Sequence, residues 1–208
     1  DTWEQQSSEQ LEAFDNHTSY FYIDEEGNHW LNNKIYLTVN EGGSIRSTTI
    51  SQHTIESNGI SVSHKGDNGK MYFLNHSNGR IAIAAPDGSW SSLSLPSFSM
   101  PFEFFNDILV LADNDIWLAS ARGLYRFNGT EWTFTDLESC RNFATDKKGR
   151  VYLYAANKMY IFDQGTMTEY NIDNSPLSAD YISGHGVDEE DNLWIAEREA
   201  NTIHKVSL

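Results

Sequence analysis

The stretch Asn114-Asp-Ile-Trp-Leu-Ala-Ser-Ala-Arg-Gly-Leu-Tyr-Arg-Phe-Asn-Gly-Thr-Glu-Trp132 decides the fold of this chain. Two short segments rich in apolar and aromatic residues are separated by a turn at Gly123, and another segment begins beyond Asn128-Gly129. Alternation of apolar and polar residues is typical of half-buried strands and does not fit a helix. Asn-Gly and related dipeptides favour the tight turns of hairpins. The stretch therefore predicts consecutive antiparallel strands, with Trp117 in the second strand of its unit and residues 123–127 as the third.

The same pattern occurs five times along the chain: an apolar strand, a polar turn rich in Asp and Gly, and an aromatic residue in the next strand. The aromatic residues at this position are Trp30, Tyr72, Trp117, Tyr152 and Trp194, at intervals of 42, 45, 35 and 42 residues. Such intervals are those of the four-stranded blades of β-propellers. The sequence therefore predicts an all-β fold, a five-bladed β-propeller whose blades begin near residues 19, 60, 107, 141 and 182.

The two ends of the chain predict how the ring of blades closes. The last unit stops after its third strand at Leu208, whereas additional residues precede the first strand of the first unit. Trp3 precedes Trp30 by 27 residues, and the same interval separates Trp90, in a predicted fourth strand, from Trp117. We therefore expect residues 2–7 to supply the fourth strand of the last blade. This closure leaves no unpaired sheet edge in a single domain of residues 1–208.

The composition excludes several classes of partner. The chain has 14 Lys and Arg against 30 Asp and Glu, a formal charge of −16, which disfavours binding to nucleic acid or to an anionic membrane surface. The longest apolar stretches, such as residues 108–112, are far shorter than the ~20 residues of a membrane-spanning helix. The single cysteine, Cys140, excludes an internal disulfide and a cysteine-based zinc site. We expect a folded monomer that is stabilised by packing.

The stretch from Asn114 to Trp132 resembles the repeat of two-component regulator propellers, in which Ile-Trp is followed by Gly-Leu-Tyr-Arg and a closing Trp. The resemblance covers all five units with falling quality, and the family's Gly-Thr after the Trp is replaced in each of them. It implies a propeller fold and ligand recognition outside the cytoplasm, because such domains often form the periplasmic sensor part of bacterial hybrid histidine kinases. Since the chain begins with Asp1 rather than Met, we expect an exported bacterial protein, periplasmic or on the cell surface, whose leader is absent from the chain.

A second resemblance relates the segment from His185 to Val206 to the blades of streptogramin lyases and NHL-type propellers. The lyase family has seven blades, with a metal and a catalytic His near the axis of the ring. The present sequence predicts five blades and has no repeated ring of acidic residues and histidines. This resemblance keeps a propeller enzyme, of the lyase or glycosidase type, as the alternative function.

Candidate binding residues follow from the loops that surround the channel of a propeller. The loops from a fourth strand to the next first strand, and from a second to a third strand, lie on one face, where ligands usually bind. Amide, guanidinium and carboxylate groups there match sugar hydroxyls, and Phe102 or Tyr181 could stack on a ligand. We predict non-catalytic recognition of carbohydrate or a protein loop, although any one of these residues could be polar simply because loops are solvated. The candidate residues are Asn33, Asn75, Glu103, Asp107, Arg122, Arg141, Asn157, His185 and Glu197.

The sequence predicts no catalytic residue, no metal and no cofactor. Glycoside hydrolysis needs two carboxyl groups about 5–9.5 Å apart, and the predicted first strands are nearly uncharged. His185 lies between two glycines and could act as an acid, a base or a metal ligand, but a single His in a strand is more often a hydrogen-bonded core group. The acidic runs at residues 24–26 and 188–191 are interpreted as turns closed by Asp side chains rather than as calcium sites. The aromatic series is interpreted as packing between blades.

Overall fold

The structure, a computed structural model, describes residues 18–23, 29–33, 36–41, 44–49, 60–66, 68–75, 79–87, 89–96, 105–112, 114–178, 182–198 and 200–207. Up to residue 61 it describes the backbone, and from residue 62 onward it describes the side chains as well. All regular elements in these residues are β-strands, β1 to β19 in chain order. None of the described residues belongs to a helix with the length and hydrophobicity needed to cross a bilayer. The chain divides into two compact units, Asp1–Phe102 and Glu103–Leu208.

The Asp1–Phe102 unit contains two four-stranded antiparallel sheets in which each strand pairs with the next one along the chain. The first sheet consists of β1 (Thr18–Ile23), β2 (His29–Asn33), β3 (Tyr36–Glu41) and β4 (Ser44–Thr49). The second sheet consists of β5 (Ile60–Lys65), β6 (Met71–Asn75), β7 (Arg80–Ala84) and β8 (Trp90–Ser94).

The Glu103–Leu208 unit contains two more four-stranded sheets and one sheet with three described strands, again as antiparallel meanders. The third sheet consists of β9 (Phe105–Ala112), β10 (Asp115–Ser120), β11 (Leu124–Phe127) and β12 (Trp132–Thr135). The fourth sheet consists of β13 (Cys140–Thr145), β14 (Val151–Ala155), β15 (Lys158–Asp163) and β16 (Thr166–Tyr170). The fifth sheet consists of β17 (Ile182–Val187), β18 (Asn192–Glu197) and β19 (Thr202–Ser207).

The predicted all-β fold is confirmed, and so is the order of the described strands within each repeat. Each aromatic residue of the repeat is the second or third residue of its sheet's second strand, as the pattern indicated. β9 is longer than predicted, because Phe105 and Asp107 pair with Ser120 and Ala119 of β10 ahead of the apolar run. The expectation of nearly uncharged first strands is therefore wrong for β9, which includes Asp107, and the observed bounds also add Lys65 to β5 and Arg141 to β13. The closing strand predicted at residues 2–7 lies outside the described residues.

Two positions in the motif around Trp117 require glycine. A Cβ at Gly123 would lie 2.6 Å from a ring carbon of Phe134 and 2.6 Å from the Thr135 carbonyl oxygen. Gly129 has a φ of +95°, and a Cβ there would lie 2.7 Å from the Cβ of Asn114. Both positions thus require glycine, since one brings β11 close to β12 and the other shapes the turn before β12.

The turn at residues 188–191 is closed by an Asp side chain, as the sequence predicted, and so is the turn at Asp146, whereas the run at residues 24–26 lies outside the described residues. Oδ1 of Asp146 accepts the N–H groups of Lys148 and Arg150. Oδ1 of Asp188 accepts those of Glu190 and Asn192 in the same way. Carboxylates that close turns through their own backbone are a common turn chemistry, and they leave fewer oxygens for a calcium ion.

The same two carboxylates also hold the aromatic residue of the repeat. The Tyr152 hydroxyl donates to Oδ2 of Asp146 at 2.8 Å, and Nε1 of Trp194 donates to Oδ2 of Asp188 at 2.7 Å. The hydrogen bond from Trp194 is the main reason that the pKa of Asp188 is lowered to about 2. In both sheets one Asp thus holds the turn and the aromatic residue of the repeat.

The core of the Glu103–Leu208 unit lies between neighbouring sheets. Trp117 of the third sheet packs edge-on against Phe143 and Phe162 of the fourth. Tyr152, on β14, belongs to a cluster that also contains Ile182 of β17 and Leu193 of β18. These contacts confirm the interpretation as packing between sheets for Trp117, and Tyr152 packs in the same way. The interpretation is wrong for Trp194, which is 39% exposed, and the side chain of Trp30 lies outside the described part of the chain.

Candidate functional site

The end of each sheet at which its first strand begins is called the upper edge here, and the opposite end the lower edge. In the Glu103–Leu208 unit the upper edge contains the beginnings of β9, β13 and β17 and the turns that follow β10, β14 and β18. β13 lies against both β9 and β17. The upper edge therefore brings three first strands side by side, and of the predicted binding residues it carries Asp107, Arg122, Arg141, Asn157 and Glu197.

All five first strands have a β-bulge at the same place, one residue after the strand begins. In β9, for example, Phe105 pairs with Ser120 and Asp107 with Ala119, so Asn106 is the additional residue. Bulges commonly redirect side chains next to binding sites. The residues at this position are all polar: Ser19, Ser61, Asn106, Arg141 and Ser183.

Asn106 and Asp107 fasten the beginning of β9 to the beginning of β13. Nδ2 of Asn106 donates to the Cys140 carbonyl at 2.6 Å, and Oδ2 of Asp107 accepts the N–H of Phe143 at 2.8 Å. Oδ1 of Asp107 accepts the N–H of Ile108 at 2.9 Å. Adjacent side chains thus bridge two sheets, which fixes the position of the Asp107 carboxyl group.

Asp107 is the most perturbed carboxyl group at the upper edge. Burial raises its pKa to about 6, and the two backbone N–H groups that it accepts act in the opposite direction. Its side chain is nevertheless partly exposed. A carboxylate that is partly desolvated, rigidly held and still accessible is typical of a binding or catalytic position.

The remaining predicted residues of β13 and the turns line the same edge. Arg141 and its neighbour Asn142 are exposed. Arg122 is exposed, and its guanidinium lies 5.1 Å from the centre of the Phe134 ring. Asn157 is exposed in the turn after β14 and accepts a hydrogen bond from the Tyr154 hydroxyl. These side chains offer donors and acceptors to solvent at the edge that also carries Asp107.

Glu197, at the end of β18, is buried, with 3% of its surface exposed. Oε1 accepts both the N–H and the hydroxyl of Ser178, and Oε2 lies 2.6 Å from Nε2 of His204. Burial acts to raise the pKa of Glu197, but the hydrogen bonds from His204 and Ser178 outweigh it and hold the pKa below its ordinary value. Glu197 therefore holds Ser178, in the segment before β17, in place. Contact between Glu197 and a ligand stays a prediction.

His185 lies on β17 beside the fourth sheet and is half-buried. Burial lowers its pKa, and a hydrogen bond with the backbone of Tyr152 opposes this shift. Its Nε2 atom is enclosed and has no hydrogen-bond partner among the described residues. The imidazole is thus held in its neutral form near pH 7.

Three further predicted residues are placed less directly. Asn75, at the end of β6 in the Asp1–Phe102 unit, is buried with 1% of its surface exposed. Asn33 ends β2, where the structure describes the backbone only. Glu103 lies outside the described residues. Asn33, Asn75 and Glu197 occupy the same register position, opposite the first residue of β1, β5 and β17.

Sequence reasoning missed Ser178 and His204. Neither carries a signal in the repeat, since they meet Glu197 only through the fold. The described residues contain no group of three or more His, Cys, Asp or Glu side chains arranged to hold a metal ion.

No protein-family model matches the chain, and no curated protein matches it. Several solved structures are similar to the chain in fold. The extracellular domain of the putative one component system BT4673 from Bacteroides thetaiotaomicron is 17% identical with a TM-score of 0.70, and the match covers 99% of this chain and 29% of that one. Catalytically inactive H270A virginiamycin B lyase from Staphylococcus aureus, with quinupristin, is 15% identical with a TM-score of 0.64, covering 90% and 69% of the two chains.

A third similar structure, YCF48 bound to D1 peptide, is 13% identical with a TM-score of 0.65, and the match covers 91% of this chain and 66% of that one. Identities this low show a shared fold and carry no information on shared ligands. The propeller type of fold that both resemblances implied is thus supported, while the number of blades and the exact family remain predictions. The chain spans less than a third of the length of the BT4673 extracellular domain.

Proposed function

We propose that this chain is a non-catalytic recognition module that binds carbohydrate or a protein loop at its upper edge. The observation that carries the proposal is the concentration there of exposed Arg141 and Asn142 beside the rigid, partly exposed carboxyl group of Asp107. Paired donors and acceptors on a fixed backbone are what specific recognition of polar ligands needs. The similarity in fold to extracellular domains of putative one- and two-component systems supports this assignment.

We further propose that the five sheets form one ring, a single domain closed by residues 2–7 on β19, and that the monomeric protein works in the periplasm or at the cell surface. The three-stranded fifth sheet supports the closure, since every other sheet has four described strands. The extracellular neighbours support the location. Asn33, Asn75, Glu103, Arg122, Asn157, His185 and Glu197 remain further candidates for the binding surface.

A glycan array combined with thermal-shift screening tests the proposal, because a ligand of the native fold raises its melting temperature. The decisive step compares Arg141→Ala at the upper edge with Lys148→Ala, which also removes one exposed positive charge but lies in a lower-edge turn. We expect Arg141→Ala to weaken binding at least tenfold and Lys148→Ala to leave it within about twofold. Equal effects of the two variants would place the ligand elsewhere.

The rival function is a propeller enzyme, favoured by the similarity to virginiamycin B lyase and by the enclosed imidazole of His185. Chemical turnover of a bound ligand that is lost in His185→Gln, with folding retained, would support the enzyme. Binding without turnover supports the recognition module.

A further inference from the structure

Asp107 is a partly buried carboxyl group that lacks a cationic partner among the described residues. Five other described carboxylates of the Glu103–Leu208 unit are paired with a basic side chain within 4.0 Å: Asp115 with Arg126, Asp146 with Arg150, Glu169 with Lys158, Asp188 with Lys205, and Glu197 with His204. No basic side chain among the described residues pairs with Asp107, whose hydrogen bonds come from two backbone N–H groups. A partly buried carboxylate without a counter-charge is costly unless something else compensates it.

We infer that the ligand of the upper edge carries a primary ammonium group that binds to Asp107. This inference rests on the recognition function proposed above and names the chemistry of its ligand. A formal charge of −16 favours the approach of a cation and opposes that of an anion. The pairing would supply the counter-charge that Asp107 lacks within the described chain.

The hydrogen bonds of Asp107 favour an ammonium over the other cations. A guanidinium binds best through two parallel hydrogen bonds to both oxygens of one carboxylate. Here each oxygen already accepts one backbone N–H, which leaves one acceptor position on each, and the compact charge of an ammonium can bind there without the matched pair of hydrogen bonds that a guanidinium needs. A calcium ion needs six to eight oxygen ligands, and no acidic cluster around Asp107 is present in the described part of the chain.

Amino sugars and lysine side chains both present this group, so the experiment has one arm for each. Isothermal titration calorimetry on the full chain compares glucosamine oligomers with their N-acetylated counterparts, and an end-blocked Ala-Lys-Ala peptide with its Nε-acetylated form. We expect one pair to show binding by the ammonium compound that is at least tenfold stronger than by the acetylated one, about 1.4 kcal/mol. This comparison needs no altered protein.

Two variants identify the residue. Asp107→Asn keeps the shape and removes the charge, and Asp163→Asn removes one charge from an exposed residue at the lower edge. We expect at least tenfold weaker binding of the ammonium compound to Asp107→Asn and a change within about twofold in Asp163→Asn. Equal binding of amine and acetylated compounds, equal effects of the two variants, or no binding of either amine at millimolar concentration would each overturn the inference.

Failure of the inference and failure of the proposed function give different results. If a neutral saccharide binds and Arg141→Ala weakens it while Asp107→Asn does not, the ammonium inference is wrong and the recognition function stands. If bound ligands of every class respond to none of the upper-edge variants, the recognition function itself is wrong.

Discussion

The fourth and fifth sheets contain the same repeat, yet their central aromatic residues have different environments. Tyr152 is completely buried, whereas Trp194 has 39% of its surface exposed. Both donate a hydrogen bond to the Asp that closes the preceding turn. Tyr152 faces the fifth sheet, while Trp194 is covered by the ammonium group of Lys205, 5.1 Å from its ring. The repeat therefore specifies strand and turn locally, and a neighbouring sheet decides whether its aromatic residue becomes core.

The largest difference between the two sheets should appear when these aromatic residues are truncated. Tyr152→Ala should lower the free energy of unfolding by about 3–5 kcal/mol, as for other buried aromatic residues, because it leaves a cavity between two sheets. Trp194→Ala should cost about half as much, since its side chain is partly solvated in the folded protein. Urea denaturation of both variants measures the two losses. Equal losses would mean that Trp194 is as well covered in solution as Tyr152, and the contrast would be wrong.

The two turn carboxylates provide a second comparison. Asp146→Asn should destabilise the protein by about 3 kcal/mol, because the guanidinium of Arg150, 9% exposed, loses its ion-pair partner in a nearly buried site. Asp188→Asn should have a smaller effect, since Lys205 is exposed and its Nζ lies 3.9 Å from the carboxylate. Thermal unfolding at neutral pH gives both values. A larger effect in Asp188→Asn would show that hydrogen bonding to the turn dominates over the ion pair.

Removal of residues 1–8 tests the proposed closure of the fifth sheet. We expect a loss of about 2 kcal/mol, which for a domain of this size lowers the melting temperature by roughly 4–8 °C, because the outer edge of β19 would lose its partner strand. Circular dichroism of the truncated and intact chains measures the shift. A truncated chain as stable as the intact one would contradict the closure and leave β19 as a true edge strand.

The smallest expected change in stability comes from Asp107, and it follows from a comparison of the two sides of the fourth sheet at the upper edge. On one side, Asp107 bonds to the backbone of β13, whereas on the other, Gly184 occupies the corresponding position of β17 and has no side chain. The pKa of Asp107 is raised to about 6 in the folded protein, so its contribution to stability is fully present below its unfolded value of 3.8 and is lost as the pH rises through about 6.

Asp107→Asn should therefore remove a decline in stability between about pH 4 and 6, of the order of 1 kcal/mol because the side chain is partly exposed. The measurement is the free energy of unfolding against pH for both proteins, with Asp163→Asn as control. Parallel profiles of the wild-type protein and Asp107→Asn would show that the carboxyl group titrates normally.

The strands and turns could be predicted from the sequence, because they depend on local pattern. The repeat of apolar segments and polar turns located β10 and β11, and the prediction that an Asp side chain closes the turn at residues 188–191 is confirmed. The placement of Asp107 inside β9 could not be predicted in this way, since it depends on pairing with Ala119 and on an N–H of β13. The apolar run begins only after the bulge at Asn106, so the pattern placed the start of the strand too late.

The candidate site was less predictable than the fold. Asp107 and Arg141 were expected at the upper edge, and they lie there. Glu197 was also expected there, but its burial comes from Ser178 and His204, which lie 19 residues before it and 7 after it. Polar residue types in predicted loops were therefore enough to place side chains at the upper edge. Only the fold shows which of these side chains are exposed and which, like Glu197, are buried and hold a loop in place.

The bulges at the start of the first strands also separate the residues of the upper edge from the residues of the same strand that pack in the core. In β17, Ile182 faces the core before the bulge, and the facing positions after it are His185 and Val187 rather than the even-spaced residues that regular alternation would give. A side chain at the bulge or just after it can therefore change without shifting the packed face below. The side chains at the upper edge can therefore differ from sheet to sheet while the packed positions below them stay the same.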